Sequence, residues 1–315
     1  MSHPAPAIES PPTSLLGGVV TALSDIKLAH SVFALPFALA ASFVVGVGPD
    51  GSVTWGRFAT LLGLVVVCMV CARTWAMLIN RLADRRFDAD NPRTAGRALA
   101  AGRVSVPHAW LAATVSAALF LVSCALFWLI DDNVWPLALG VPVLAWIALY
   151  SYTKRFTAWC HVFLGGALAV SPLAAAIAVG GMEGLLAHWQ PLAGLSGFVL
   201  LWVAGFDIAY ALQDLAFDRA RGLRSVPAAV GWRGALWIAR AMHTLALGAL
   251  IAVPISDDRL STTTWVGVGL TAALLAWEHR VLHTRGLAGL PMAFFTINGV
   301  VSVLLGTLVI LDALM

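Results

Sequence analysis

Charged residues punctuate this chain at intervals set by lipid rather than by water. Between them run uncharged stretches from Leu28 to Pro49, Phe58 to Ala72, Val104 to Ile130, Asn133 to Thr153, Phe156 to Met182, Gly184 to Phe206, Ala241 to Ser256, Leu260 to Trp277 and Gly286 to Leu311. A helix needs about 17–25 predominantly apolar residues to cross a bilayer, and in lipid only helices and closed barrels satisfy their own backbone groups. The second stretch continues past Arg73 to Ile79, and the seventh extends backwards past Arg240. The pattern therefore predicts nine membrane-spanning helices, at about 28–49, 58–79, 106–130, 133–151, 158–181, 190–210, 234–256, 260–281 and 288–312. They form one all-α transmembrane domain over residues 15–315. The first 14 residues, with Pro4, Pro6, Pro11 and Pro12 and no basic n-region, read as a disordered tail rather than a signal peptide.

Composition agrees. Of 315 residues, 60% are hydrophobic and 11% charged, with a mean hydropathy of +0.87, against roughly 25% charged in a soluble domain. A water-soluble fold is excluded. With the N-terminus inside, 17 of the 19 basic residues fall on the inner side and only Arg57 and Arg259 on the outer. This asymmetry predicts an N-in, C-out topology, and it accounts for the basic excess without a nucleic-acid partner. Trp55, Trp128, Trp135, Trp189 and Trp265 sit near span ends, as an interfacial belt does. Cys68 and Cys71 make a CxxC spacing, but inside an apolar run they read as buried thiols.

Six of the nine inner acids form two tight clusters, Asp84, Asp88 and Asp90 after the second span and Asp207, Asp214 and Asp218 in and after the sixth. Four crossings separate them, so both emerge on one face. At about 100° per residue, Asn80, Asp84 and Asp88 fall within roughly 80° of one another on a stripe that also contains Arg73, and Asp207, Asp214 and Asp218 fall within about 40°. Carboxylates at a span's end are costly unless paired or coordinated. Oxygen ligands without a neighbouring His or Cys suit a hard cation, Mg²⁺ above all, shared with phosphate oxygens. Arg73, Arg85, Arg86, Arg93, Lys154, Arg155 and Arg224 share this face and suit an anionic ligand, although Arg85, Arg86, Arg97 and Arg103 are explained as well by topology and anionic lipid. Both Lys residues (Lys27, Lys154) and all three Tyr (Tyr150, Tyr152, Tyr210) are also here.

Three stretches, N-R-L-A-D-R-R-F-D from Asn80 to Asp88, Y-S-Y-T-K-R-F-T from Tyr150 to Thr157 and D-I-A-Y-A-L-Q-D-L-A-F-D from Asp207 to Asp218, resemble the UbiA superfamily of intramembrane aromatic prenyltransferases. The likeness extends over essentially the whole chain. D-A-D-N-P-R-T-A-G-R from Asp88 to Arg97, A-H-S-V-F-A-L-P-F-A-L-A from Ala29 to Ala40 and F-D-R-A-R-G-L-R-S-V-P from Phe217 to Pro227 look like its 4-hydroxybenzoate polyprenyltransferase-like branch, which includes the menaquinone enzyme of the futalosine route. Asn80 is followed by Arg81, where the bacterial ubiquinone enzyme typically has Asp. This departure keeps 1,4-dihydroxy-6-naphthoate beside 4-hydroxybenzoate as acceptor.

The resemblance implies nine helices around a central cavity in a bacterial inner membrane, with the active site at the cytoplasmic end. It implies Mg²⁺-dependent transfer of a polyprenyl chain from its diphosphate to a ring carbon of an aromatic acid in quinone biosynthesis. Asn80, Asp84, Asp88, Asp214 and Asp218 would hold metal, with Asp207 a further ligand, a group behind the ligands or the proton acceptor. Arg73, Lys154 and Arg155 would take up diphosphate charge, and Tyr150, Tyr152, Tyr210 or Phe206 would face the allylic cation. His30 and the departing diphosphate would be the other candidate proton acceptors, and Lys27 or Arg155 would meet the acceptor's carboxylate. Two other readings fit less well. A CDP-alcohol phosphotransferase keeps its aspartates in one compact motif, whereas 130 positions separate Asp84 from Asp214. A transporter would place its acids nearer the midplane.

Overall fold

A computed structural model describes residues 15–24, 33–48 and 50–315. Among these, every regular element is helical: α1 (Leu15–Ser24), α2 (Leu35–Gly46), α3 (Trp55–Asp90), α4 (Val106–Asp131), α5 (Trp135–Thr153), α6 (Cys160–Ala187), α7 (Trp189–Tyr210), α8 (Leu215–Arg221), α9 (Val226–Ser256), α10 (Thr263–Arg285) and α11 (Asn298–Leu314). Among the described residues, seven helices are long and apolar enough to cross a membrane: α3, α4, α5, α6, α7 with its continuation to Arg221, α9, and α11 with the π-helical turn Met292–Ile297 before it. The first expected span lies partly outside the described residues, and its described part is the 12-residue α2. The eighth corresponds to α10, where Glu278, Arg280 and Arg285 dilute the apolar run. The expected tail 1–14 lies outside the described residues.

Local chemistry explains the remaining differences at helix ends. The sequence Ser-Val-Pro occurs twice, at Ser105 and Ser225. Each Ser caps a helix, its hydroxyl accepting from His108 N–H or Ala228 N–H, with Pro in the first turn where no donor is missed. Helix α9 therefore starts at Val226 rather than near 234, but it breaks at Gly231, whose φ of 73° favours glycine. Helix α6 breaks likewise at Gly181 (φ 65°), where the expected span ended.

Helix α7 is the axis of the bundle. Trp202, Phe198, Leu192, Leu195 and Ile208 are fully buried on it, and Phe198 stacks on Trp202 at 5.6 Å. Its neighbours come close because small residues let them. A Cβ on Gly165 of α6 would stand 2.2 Å from Leu200 O of α7, and one on Gly205 of α7 would stand 2.3 Å from His243 Cδ2 of α9. That gap lets His243 reach Trp202 O (3.2 Å) while its Nδ1 meets His279 Nε2 (3.0 Å). Trp202 Nε1 donates to Asn298 Oδ1 (2.6 Å), and Asn298 Nδ2 donates to Ala293 O in the π-helical turn (2.8 Å).

The end away from Asp84 is tied by few charges. Arg57 pairs with Asp131. Arg259 binds Asp257 (2.8 Å) and donates to Val47 O and Val44 O at the end of α2. Burial would raise the Asp257 carboxyl, but the hydrogen bonds and charge of Arg259 outweigh it and hold the group below its ordinary range. Trp55, Trp128, Trp135, Trp189 and Trp265 are all exposed near helix ends, as a belt requires.

Gly165→Ala is expected to push α6 off α7, because a backbone carbonyl cannot yield as a side chain does. The cost should be about 1–3 kcal/mol, read as a lower melting temperature in detergent; an unchanged melt would show that the contact is slack.

Candidate active site

At the charged end, α3 ends in Asp84 and Asp88, one turn apart and both buried. Each has its own cation. Asp84 binds Lys154 Nζ (2.6 Å) and Arg155 Nη2 (3.2 Å) from the α5–α6 turn, and Asn80 Nδ2 lies 3.4 Å from its Oδ2. Arg97 Nη1 donates to both oxygens of Asp88, at 2.7 and 2.8 Å. Across the cavity Arg93 grips Asp214 through two nitrogens, and Asn91 Nδ2 donates to the same carboxylate (3.0 Å). Burial alone would lower the Arg93 guanidinium, yet the hydrogen bonds and charge of Asp214 outweigh it and raise the group further above its ordinary range. Asp218 accepts from Ser225 Oγ (2.8 Å).

The segment Asn91-Pro92-Arg93-Thr94 forms the wall between the two clusters. Asn91 Oδ1 accepts from Arg93 N–H (3.0 Å), and Thr94 Oγ1 donates to Asp88 O (3.1 Å). The loop before α9 folds onto the α5–α6 turn, with Arg224 N–H donating to Lys154 O (2.7 Å) and Arg224 Nη1 to Phe156 O (2.7 Å). The second aspartate cluster departs from a continuous helix: a 3-10 turn, Ala211–Asp214, separates α7 from α8. There the chain leaves the bundle and winds more tightly, and Gln213 Nε2 takes up Tyr210 O (2.9 Å).

These groups enclose a cavity of about 220 Å³, walled by Asn80, Asp84, Asp88, Tyr150, Lys154, Asp207, Tyr210, Asp214 and Asp218 among others. A second cavity of about 270 Å³ lies among α3, α4, α5 and α6 and is almost wholly apolar. Tyr150 and Leu164 belong to both walls.

Nine expected residues thus share one chamber. Arg73 instead lines the apolar cavity, and its buried Nε has no hydrogen-bond partner among the described residues. Arg155 reaches Asp84 from outside the chamber's wall, and Tyr152 is exposed beneath the Arg155 guanidinium (4.8 Å). Phe206 is buried against Trp202, Phe33 and Phe294 rather than facing either cavity. Lys27 and His30 lie outside the described residues. The sequence reading missed Asn91 and Arg97 as site residues, and Arg93 as more than one of a basic face. Their spacing after Asp88 was the available signal. It also missed His161, whose Nδ1 lies 2.7 Å from Asp207 Oδ2 and which no motif announced.

Could the chamber hold a hard cation? No three His, Cys, Asp or Glu side chains converge on one point among the described residues. The donor set is nevertheless all oxygen, on two facing walls, and Mg²⁺ takes one or two carboxylates plus phosphate oxygens and water rather than a protein cage. The residues fit a cation that arrives with an anionic ligand.

The UbiA prenyltransferase family profile matches residues 34–303. The chain belongs to the UbiA prenyltransferase family. It is a prenyltransferase, an integral membrane enzyme. The 4-hydroxybenzoate octaprenyltransferases of Acidovorax ebreus (strain TPSY) and Nitrosospira multiformis are 32% and 30% identical to it, over 79% and 76% of this chain and 80% and 79% of theirs. An apo UbiA homologue from Aeropyrum pernix K1 superposes with a TM-score of 0.78 at 30% identity, covering 91% of this chain and 99% of that one. A UbiA homologue from Archaeoglobus fulgidus, solved with GPP and Mg²⁺, shares the fold with a TM-score of 0.66 at 20% identity, covering 95% and 100%.

In this UbiA-family chain, Arg97→Ala is expected to leave Asp88 buried without its counter-charge. The cost should be about 1–3 kcal/mol, less than for a fully buried pair because Arg97 is a quarter exposed (25%). Adding Asp88→Asn should restore most of the melting temperature, and a double variant no more stable than the single one would show that the pair is not what Arg97 supplies.

Proposed function

We propose that this enzyme transfers a polyprenyl chain from polyprenyl diphosphate to a ring carbon of a hydroxylated aromatic acid, with Mg²⁺, in quinone biosynthesis. The observation that carries this reading is the adjacency of the two cavities. A chamber of carboxylates and cations suits a metal-bound diphosphate, and the apolar cavity that shares Tyr150 with it suits a prenyl chain. The names of the relatives support 4-hydroxybenzoate as the acid; Arg81 after Asn80 keeps 1,4-dihydroxy-6-naphthoate as the other candidate.

Asn80, Asp84, Asp88, Asp214 and Asp218 would hold the metal. When bound, Mg²⁺ supplies positive charge that stabilises the departing diphosphate. Lys154, Arg155, Arg93 and Arg97, each held near a carboxylate, add fixed positive charge where the leaving group develops its own. Tyr150 and Tyr210 offer π faces to the allylic cation on the chamber side. Arg73 stands in the apolar cavity, where a buried guanidinium needs a counter-ion. We assign it to the carboxylate of the aromatic acid rather than to the diphosphate.

For topology we propose nine spans, N-in and C-out, counting α10 and the segment that ends in α2, with the carboxylate chamber on the cytoplasmic side of a bacterial inner membrane. The distribution of Arg and Lys supports that orientation. A long prenyl tail would have to leave the apolar cavity sideways into lipid.

Purified protein given Mg²⁺, a prenyl diphosphate and each acid separately should yield the prenylated acid by mass spectrometry with one of them, and EDTA should abolish it. Asp84→Asn or Asp214→Asn should lower the rate on the order of 10²–10³-fold. Near wild-type transfer by either folded variant, or indifference to EDTA, would overturn the assignment. Arg73→Ala should raise KM for the acid by roughly ten- to a hundredfold, the equivalent of about 1.5–3 kcal/mol for a hydrogen bond to a charged group, and leave prenyl diphosphate affinity nearly unchanged. The reverse pattern would return Arg73 to the diphosphate.

A further inference from the structure

His161 stands at the start of α6, 2% exposed, where the two cavities meet. It walls the carboxylate chamber, and Leu164, one turn on, belongs to both cavities. Both ring nitrogens are engaged. Nε2 lies 3.3 Å from the backbone nitrogen of Val226, which can only donate, so Nε2 accepts and carries no proton. The proton of the neutral ring is then on Nδ1, which donates to Asp207 Oδ2 at 2.7 Å.

Asp84, Asp88 and Asp214 each hold an Arg or Lys, and Asp218 is held by the Ser225 hydroxyl; Asp207 is the chamber acid held by an imidazole. Its side chain stays 23% exposed, and no hydrogen bond among the described residues reaches its second oxygen. One oxygen is fixed by the imidazole, and Asp207 lines the chamber together with Tyr150 and Tyr210. A hydrogen bond from the far side fixes the orientation of this carboxylate, as the third member of a catalytic triad does for its base.

We propose that His161 is a positioning residue for ring deprotonation, holding Asp207 through Nδ1–H so that the free carboxylate oxygen takes the proton from the prenylated ring carbon. This rests on the function proposed above. The electron pair of the aromatic ring forms the new C–C bond to the allylic carbon, which has already lost its C–O bond to diphosphate. The C–H bond at that ring carbon then breaks, its electrons restore the aromatic ring and its proton goes to Asp207. His161 keeps its own proton throughout and passes none.

The same contacts link deprotonation to closure of the chamber. Val226 begins α9, and its neighbour Ser225 caps that helix and binds Asp218. The loop that brings a proposed metal ligand into place therefore also sets which nitrogen of His161 bears the proton.

The test compares His161→Ala with His161→Gln, whose amide N–H can replace the donor, in steady-state transfer with the acid either protiated or deuterated at the attacked carbon. His161→Ala should lose about 10–100-fold in kcat, the range seen when a group behind a catalytic residue is removed. Its KM for prenyl diphosphate should stay within about twofold, and its ring-deuterium isotope effect should rise above the wild-type value because proton loss has become slower. His161→Gln should recover part of kcat. Wild-type kcat in His161→Ala, or a loss with no change in isotope effect and no recovery in His161→Gln, would overturn the proposal while leaving the transferase reading intact. If His161→Ala does not fold, the Gln variant alone decides: an isotope effect and kcat shifted in the stated directions support it, and a lower melting temperature with unaltered kinetics overturns it. Failure of wild-type protein to prenylate any acid would remove the function reading and this inference with it.

Discussion

A carboxylate can be withdrawn from water only if something else carries its charge, and the charged end of this bundle is organised by that requirement. Asp84 is shared by Lys154 and Arg155, Asp88 is taken by Arg97, and Asp214 is clasped by Arg93 and Asn91. These pairs join segments far apart in sequence: the end of α3, the turn after it, the α5–α6 turn and the 3-10 turn after α7. Removing the acids from the sequence would therefore remove not only a site but the contacts that bring its walls together. The helices below are held differently, by glycines that let backbones approach and by a buried path of polar side chains through Trp202, His243 and Asn298.

Ion pairs of this kind are also exchangeable. An anion entering the chamber offers the same cations a second partner, and a divalent cation offers the same carboxylates one. For these paired groups the charge balance is kept whichever set is in place, whereas Arg73 lies in the apolar cavity with a buried Nε that has no hydrogen-bond partner among the described residues. Asp207 and Asp218 stand apart from these pairs, one held by the His161 imidazole and the other by the Ser225 hydroxyl.

Much of this was legible in the sequence. Uncharged runs located helices because lipid sets their length, and Gly181 marks the break in α6 at the very residue where the run was expected to end. The carboxylates met as expected because helical phase is conserved along α3. Phase alone loses depth, however. Arg73 shares a stripe with Asn80 but stands seven residues away, roughly 10 Å at ~1.5 Å per residue, and so it opens into the apolar cavity rather than the chamber. Arg93 and Arg97 were hidden for another reason: they lie on a turn-rich segment with no periodicity, where only folding reveals which carboxylate each guanidinium meets. His161 was least legible, since its pairing with Asp207 depends on α6 and α7 touching at Gly165 and Leu200.

Tyr150 and Leu164, the two residues common to both cavities, make the interior a junction of two solvents. A molecule with a charged head and a hydrocarbon tail is at rest only when it straddles that junction. On the proposed reaction the bond that breaks joins head to tail, so each turnover divides such a molecule at the seam. The diphosphate then belongs wholly to the aqueous side and the alkylated ring to the oily side. The two products are sorted by solubility as they form, and their exits diverge before either has moved.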